Sequence, residues 1–178
     1  MDFGTHLMAG AIIAFAIPEA TPEQRALVIA GSVLPDFICP LYFKALAKKV
    51  GKKLKNLVEQ DAIDFGDKMK PWIPIYEFFH GLPFFILLSL VEWYLTGGFY
   101  FSAGWLSHLI YDLVTHHYPG KLSFCPKPFY PILNWTWKWG LTNGWKLKPK
   151  ERDFNFQILI WFFHAVLLGF IFITKALP

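Results

Sequence analysis

Five apolar stretches, separated by two short turns and two long lysine-rich segments, constrain the fold of this chain more than any other feature. They cover residues 7–17, 21–34, 73–95, 99–117 and 153–175. Hydrophobic residues make up 54% of the chain and charged residues only 17%, against about 25% charged in an average soluble domain. Disorder is excluded, because it requires low hydrophobicity and high charge. We predict one all-α domain, residues 1–178, that forms an integral membrane bundle of about five helices.

The first two stretches are short. Pro18 closes the first, and Thr21, Pro22 and Gln24 open the second with a capping-box pattern. Each gives roughly 20 Å of helix, against a hydrocarbon core of about 30 Å. We therefore expect a hairpin that packs against the other helices, with the second helix ending before Pro35.

The third and fourth stretches predict a second hairpin. Residues 73–95 are long enough to span a membrane, with Pro83 as a kink and Gly97-Gly98 as the stop. Because only a short turn separates them from residues 99–117, the two helices should be antiparallel. Residues 153–175 form the most uniform spanning candidate.

Basic residues are concentrated in two segments. Eight lysines lie between positions 44 and 70, and six lysines with Arg152 lie between positions 121 and 152. The positive-inside rule predicts that both segments and the N-terminus lie on the cytoplasmic side of the membrane. The acid at Asp2 argues against a cleaved leader. No nucleic-acid partner is expected, and the isolated Cys39 and Cys125 are interpreted as packing residues.

Two segments are predicted to lie at the membrane surface. Residues 43–58 alternate apolar and lysine positions at helical spacing, which predicts an interfacial amphipathic helix that binds anionic lipid headgroups. The alternative is a solvated helix packed on the protein core. Residues 129–145 carry Tyr130 and four tryptophans, which is typical of an aromatic belt.

This topology brings five polar side chains from four helices to one membrane face. They are His6, Asp36, His80, His108 and Asp112. His108 and Asp112 share a helical face because they are four residues apart. Imidazole and carboxylate are ligands of zinc and related divalent ions. Any one of these residues alone would more often be structural, but the convergent set predicts a metal site.

At these positions the chain resembles the membrane-bound metal-dependent hydrolases, the YdjM-like inner-membrane family. More remotely it is similar to the zinc-dependent phospholipases C and single-strand nucleases. The matching segments are Thr5-His6-Leu7-x-x-Gly10, Gly31-Ser-Val-Leu-Pro-Asp36, His80, and Ser107-His108-Leu-Ile-Tyr-Asp112-Leu-Val-Thr115.

The resemblance implies roles for these residues. Asp36, His80, His108 and Asp112 would hold one metal ion, and His6 with Asp112 would reach toward a second. Asp36 is also the general base that the resemblance implies. The chain departs from the family pattern at two places, where Ile38 and Ile75 stand instead of a second acid and a further histidine. We therefore expect one or two ions, zinc foremost, rather than a larger cluster.

Two functions remain open from the sequence. The first is a metal-dependent hydrolase that acts on a phosphoester or lipid-linked substrate through metal-activated water. The second is a non-catalytic scaffold or lipid-binding protein with a structural metal site. Roles for Glu77, His116 and His164 also stay open. Glu77 could orient a metal ligand or lie at headgroup level, and a hydrogen bond across helices would satisfy His164 as well as a functional role would.

Overall fold

The computed structural model describes residues 3–57, 61, 72–115, 127–133, 135, 159–160 and 162–171. Among these residues it shows helices and no strand, which confirms the all-α prediction. The helices are α1 (Phe3–Ala16), α2 (Pro22–Val33), α3 (Ile38–Val50), α4 (Trp72–Phe79), α5 (Leu82–Thr96), α6 (Tyr100–Thr115) and α7 (Phe162–Ile171), with 3-10 turns at Leu34–Phe37 and Leu54–Asn56.

The predicted capping box starts α2. The Thr21 hydroxyl accepts from the Gln24 N–H, and the Gln24 side chain accepts in return from the Thr21 N–H at 2.8 Å. As expected, α2 ends before Pro35, but the 3-10 turn carries the chain directly into α3. The combined run Pro22–Val50 is long and apolar enough to cross a bilayer, so this stretch is longer than the predicted short hairpin arm.

Helix α3 corrects the boundaries of the predicted amphipathic helix, residues 43–58. It starts at Ile38 and ends at Val50, because Gly51 adopts a left-handed conformation (φ 69°) that closes the helix. Its apolar face packs on protein, with Leu46 and Ala47 buried in one cluster with Tyr76. The lysines of this helix lie on its outer surface, and its predicted binding of anionic lipid stays a prediction.

The predicted kink at Pro83 is also corrected. The helix breaks earlier, at His80 and Gly81, and Pro83 lies in the first turn of α5, where its missing N–H costs nothing. The segment 127–133 explains the position of the break. The Leu82 N–H donates to the Pro128 carbonyl at 2.7 Å, and a Cβ at Gly81 would overlap the Tyr130 carbonyl oxygen.

The hairpin between α5 and α6 agrees with the prediction. Gly97 adopts a left-handed conformation (φ 68°) and ends α5. Glu92, near the end of α5, then accepts hydrogen bonds from the Phe101 and Ser102 N–H groups at the start of α6, at 2.6 and 2.7 Å. A buried carboxylate therefore satisfies the first turn of α6.

Helices α1, α2 and α6 form the packed centre of the fold. A Cβ at Gly104 would overlap the Val28 carbonyl, and one at Gly31 would overlap the Phe101 carbonyl. A Cβ at Gly10 would overlap the Ser32 side chain. Small residues at these crossings let the backbones approach closely. This close approach brings polar side chains on separate helices within contact distance.

Candidate metal centre

The structure brings together all five predicted site residues. His6 lies on α1, Asp36 on the 3-10 turn after α2, His80 directly after α4, and His108 and Asp112 on α6. Their side chains are buried, and Asp36 is the most exposed of them at 5%. Buried polar side chains in such number need partners of their own kind or a bound ion.

Four of these residues form one compact group of possible ligands. The Nε2 atoms of His80 and His108 lie 3.1 Å apart, and they lie 3.4 and 3.2 Å from Asp112 Oδ2. Asp36 Oδ1 lies 3.6 Å from His80 Nε2 and 3.7 Å from His108 Nε2. Ligand atoms around a tetrahedral zinc ion are about 3.3 Å apart. The group Asp36, His80, His108 and Asp112 can therefore hold a metal ion.

Backbone carbonyls determine which ring nitrogen of His80 and His108 carries the hydrogen. His80 Nδ1 lies 2.8 Å from the Tyr76 carbonyl, and His108 Nδ1 lies 2.8 Å from the Ser32 carbonyl. A carbonyl only accepts, so each Nδ1 carries a hydrogen, and in the neutral ring each Nε2 presents a lone pair. Two lone pairs at 3.1 Å repel unless a cation lies between them. The donor set thus fits a metal ion.

His6 faces the other edge of the two carboxylates. Its Nε2 lies 3.3 Å from Asp112 Oδ1 and 3.7 Å from Asp36 Oδ2. Its ring stacks on His108 at 3.7 Å with an interplanar angle of 20°. Within the described part of the chain, neither nitrogen of His6 has a hydrogen-bond partner, and nor does Asp36 Oδ2. His6 lies outside the group of four.

The helix or turn that carries each of these residues orients its side chain toward the site. His108 and Asp112 are four residues apart on α6 and share one face. His80 follows the last turn of α4, where its ring stacks on Tyr76 at 3.8 Å. The tight turn Leu34–Phe37 directs Asp36 inward while its neighbour Phe37 is exposed.

Cys39 contacts the site, although the sequence alone suggested only packing. Its Sγ donates to Asp36 Oδ1 at 3.7 Å, and the side chain is buried. The three-residue spacing from Asp36 is a signal that could have indicated this contact. The carbonyls of Tyr76 and Ser32 gave no such signal, because every residue has a backbone carbonyl.

Two other polar residues left open by the sequence have partners away from the site. Glu77 pairs with Lys127 at 2.6 Å. His164 accepts from the Tyr111 hydroxyl at 2.6 Å, and its Nδ1 donates to the Ile160 carbonyl at 2.7 Å. Both are therefore explained by pairing with other residues of the same chain. His116, Cys125 and most of the predicted aromatic belt lie outside the described residues.

The fold and site define a helical protein with a buried centre of two aspartates and three histidines, four of which can hold a metal ion. The chain belongs to the YdjM inner membrane protein family, whose model matches residues 1–177. This match confirms the family resemblance seen in the sequence. No curated protein and no solved structure matches the chain.

Proposed function

We propose that this protein is a metal-dependent hydrolase of the inner membrane that acts on a phosphoester or a lipid-linked substrate. One observation carries the proposal. Two imidazole lone pairs, fixed by backbone carbonyls, meet two carboxylate oxygens at ligand-to-ligand distances of 3.1 to 3.7 Å. Imidazole with carboxylate favours zinc as the ion.

A divalent ion held by these residues would lower the pKa of a bound water toward about 7 and would polarise a phosphoryl oxygen. The protein's part is to hold the ligands and to accept a proton. Asp36 is suited to both tasks, since Oδ1 faces the two imidazoles while Oδ2 has no hydrogen-bond partner in the described part of the chain. We assign Asp36 Oδ2 as the general base.

His6 supports a second ion in the same proposal. Its Nε2 lies 3.3 Å from Asp112 Oδ1, whereas the other oxygen of that carboxylate, Oδ2, lies near His80 Nε2. Metal stoichiometry tests this part directly. We expect two ions per chain in the wild type and one in His6→Ala. A single ion in both proteins would remove the second site and leave the first.

The membrane setting is part of the proposal. Large apolar side chains are exposed along α5 and α7, which suits helices that face lipid in a single-domain bundle. Among them are Ile86, Leu87, Leu90, Trp93, Leu95, Phe162, Phe163 and Phe170. With the lysines of α3 on the cytoplasmic face, anionic headgroups would gather near the site.

A structural metal site is the second candidate function. Its support is the burial of the centre, since the five side chains are at most 5% exposed. A closed shell of four protein ligands is typical of structural zinc, whereas a catalytic ion keeps a position for water. The two candidates therefore differ in whether water reaches the ion.

A hydrolysis assay of detergent-purified, zinc-loaded protein distinguishes the hydrolase from the structural metal site. Bis(p-nitrophenyl) phosphate and a short-chain phospholipid serve as probes, with His80→Ala as the inactive variant and His164→Ala as the matched control. We expect turnover in the wild type and the control, and at least about a hundredfold loss in His80→Ala. Bound zinc without turnover of either probe would favour the structural site.

A further inference from the structure

Cys39 lies in the first turn of α3, three residues after Asp36. Its side chain is buried at 2% exposure and belongs to the cluster that contains Tyr42, Leu46 and Tyr76. The thiol is aimed away from this apolar cluster toward the metal centre, where Sγ lies 3.7 Å from Asp36 Oδ1. An apolar residue of the same volume would fill the space without making this contact.

The oxygen that Cys39 contacts is the one that faces the possible ion. Asp36 Oδ1 lies 3.6 Å from His80 Nε2 and 3.7 Å from His108 Nε2. The other oxygen, Oδ2, has no hydrogen-bond partner among the described residues. Since each imidazole presents a lone pair to this carboxylate, the thiol is the side-chain donor that holds it in the described part of the chain.

Asp36 needs such a donor more than Asp112 does. Asp112 lies inside α6 and is 1% exposed, whereas Asp36 lies on a 3-10 turn and is the most exposed of the five site residues. The terminal torsion of an aspartate is broad, so an unrestrained carboxylate rotates freely between its two oxygens. A hydrogen bond to Oδ1 favours the orientation in which that oxygen faces the imidazoles.

We infer that Cys39 is a positioning residue that orients Asp36 and thereby sets the affinity of the centre for its metal ion. This inference rests on the metal site of the proposed function. Cys39 is not itself a member of the group of four ligands. Partners that orient metal ligands typically change metal affinity by 10- to 100-fold, and a thiol is a weak donor. We therefore expect an effect near the lower end of that range.

The test measures zinc dissociation constants of the full chain in detergent against a competing chelator. Cys39→Val keeps the volume and removes the donor, while Cys39→Ser restores a donor. Leu46→Val, in the same buried cluster and away from Asp36, is the matched control for packing. We expect about tenfold weaker binding in Cys39→Val, recovery of most of the loss in Cys39→Ser, and wild-type affinity in Leu46→Val.

The outcomes separate the inference from the proposed function. Tight zinc binding by the wild type with unchanged binding by Cys39→Val would overturn the inference alone. Equal weakening in Cys39→Val, Cys39→Ser and Leu46→Val would also overturn it, because loss of packing would then explain the effect. A wild type without zinc affinity would overturn both. Cys39→Ala replaces Cys39→Val if the valine variant does not fold.

Discussion

Helix α6 has a buried carboxylate centre near each end, and the two centres differ in what surrounds them. At its start, Glu92 accepts from the Phe101 N–H, the Ser102 N–H and the Ser102 hydroxyl, at 2.6, 2.7 and 2.5 Å. Toward its other end, Asp112 and Asp36 face imidazole nitrogens that already donate through their opposite nitrogen to backbone carbonyls.

The difference lies in the balance of donors and acceptors. Glu92 is surrounded by donors, so its burial is compensated by the chain itself. The acceptor-rich centre at Asp36 and Asp112 brings two carboxylates and two imidazole lone pairs together beside the Cys39 thiol, so a cation or extra protons would compensate its burial. Glu92 therefore stabilises the fold, whereas Asp36 and Asp112 are arranged so that they can hold a cation.

The buried histidines differ in the same way, by whether the chain itself supplies partners for both ring nitrogens. His164 has both ring nitrogens occupied, one by the Tyr111 hydroxyl and one by the Ile160 carbonyl. His80 and His108 have one nitrogen occupied by a carbonyl and direct the other toward its counterpart at 3.1 Å. Burial alone therefore does not distinguish His164 from the histidines of the candidate metal centre, but the partner of the second ring nitrogen does.

Metal removal should give the largest effect that separates the two centres. A ligand present at 1,000 times its Kd stabilises the folded state by about 4 kcal/mol, which for a chain of this size corresponds to a Tm change of roughly 10 °C. We expect chelation to lower the Tm of the wild type and of Glu92→Gln by similar amounts. An unchanged Tm in the chelated wild type would break the comparison, because the acceptor-rich centre would then be complete without an ion.

Glu92→Ala should give the next largest effect, on stability and not on metal binding. Loss of this carboxylate removes three hydrogen bonds and leaves buried N–H groups without a partner, at a cost of about 2 to 3 kcal/mol in the free energy of unfolding. Thermal unfolding and zinc affinity, measured on the same sample, check both parts. A variant with normal stability and weak zinc binding would reverse the assignment of the two centres.

Tyr111→Phe should give the smallest effect. It removes one hydrogen bond to His164, which is worth about 1 kcal/mol, and should leave zinc affinity unchanged. Tyr94→Phe is the matched control, because Tyr94 is 84% exposed and should show no change in either quantity. A loss of zinc from Tyr111→Phe would show that the pairing on α7 supports the metal centre.

The sequence predicted the features that depend on local chemistry. The capping pattern at Thr21 and Gln24 and the stop at Gly97 act within one helix turn, and the structure has both. The five site residues could be grouped because the helix order and the positive-inside rule place them at one end of the bundle. Their mutual distances needed coordinates, as did the position of His6 outside the group of four.

The features that sequence analysis missed depend on distant parts of the chain. The break at His80 and Gly81 follows from contact with Pro128 and Tyr130, which no local pattern at Pro83 reveals. The sequence did not predict that α3 ends at Gly51, because the lysine pattern continues beyond this residue. Cys39 was missed because a lone cysteine in an apolar segment is more often a packing residue.

Metal content is the most direct test of the claim that the acceptor-rich centre binds an ion. Elemental analysis of detergent-purified protein should find at least one zinc or similar divalent ion per chain in the wild type and in His164→Ala. Asp36→Asn and His108→Ala should each lose most of it, since each removes one of four ligands from a buried shell. Full metal content in both of these variants, or none in the wild type, would contradict the account.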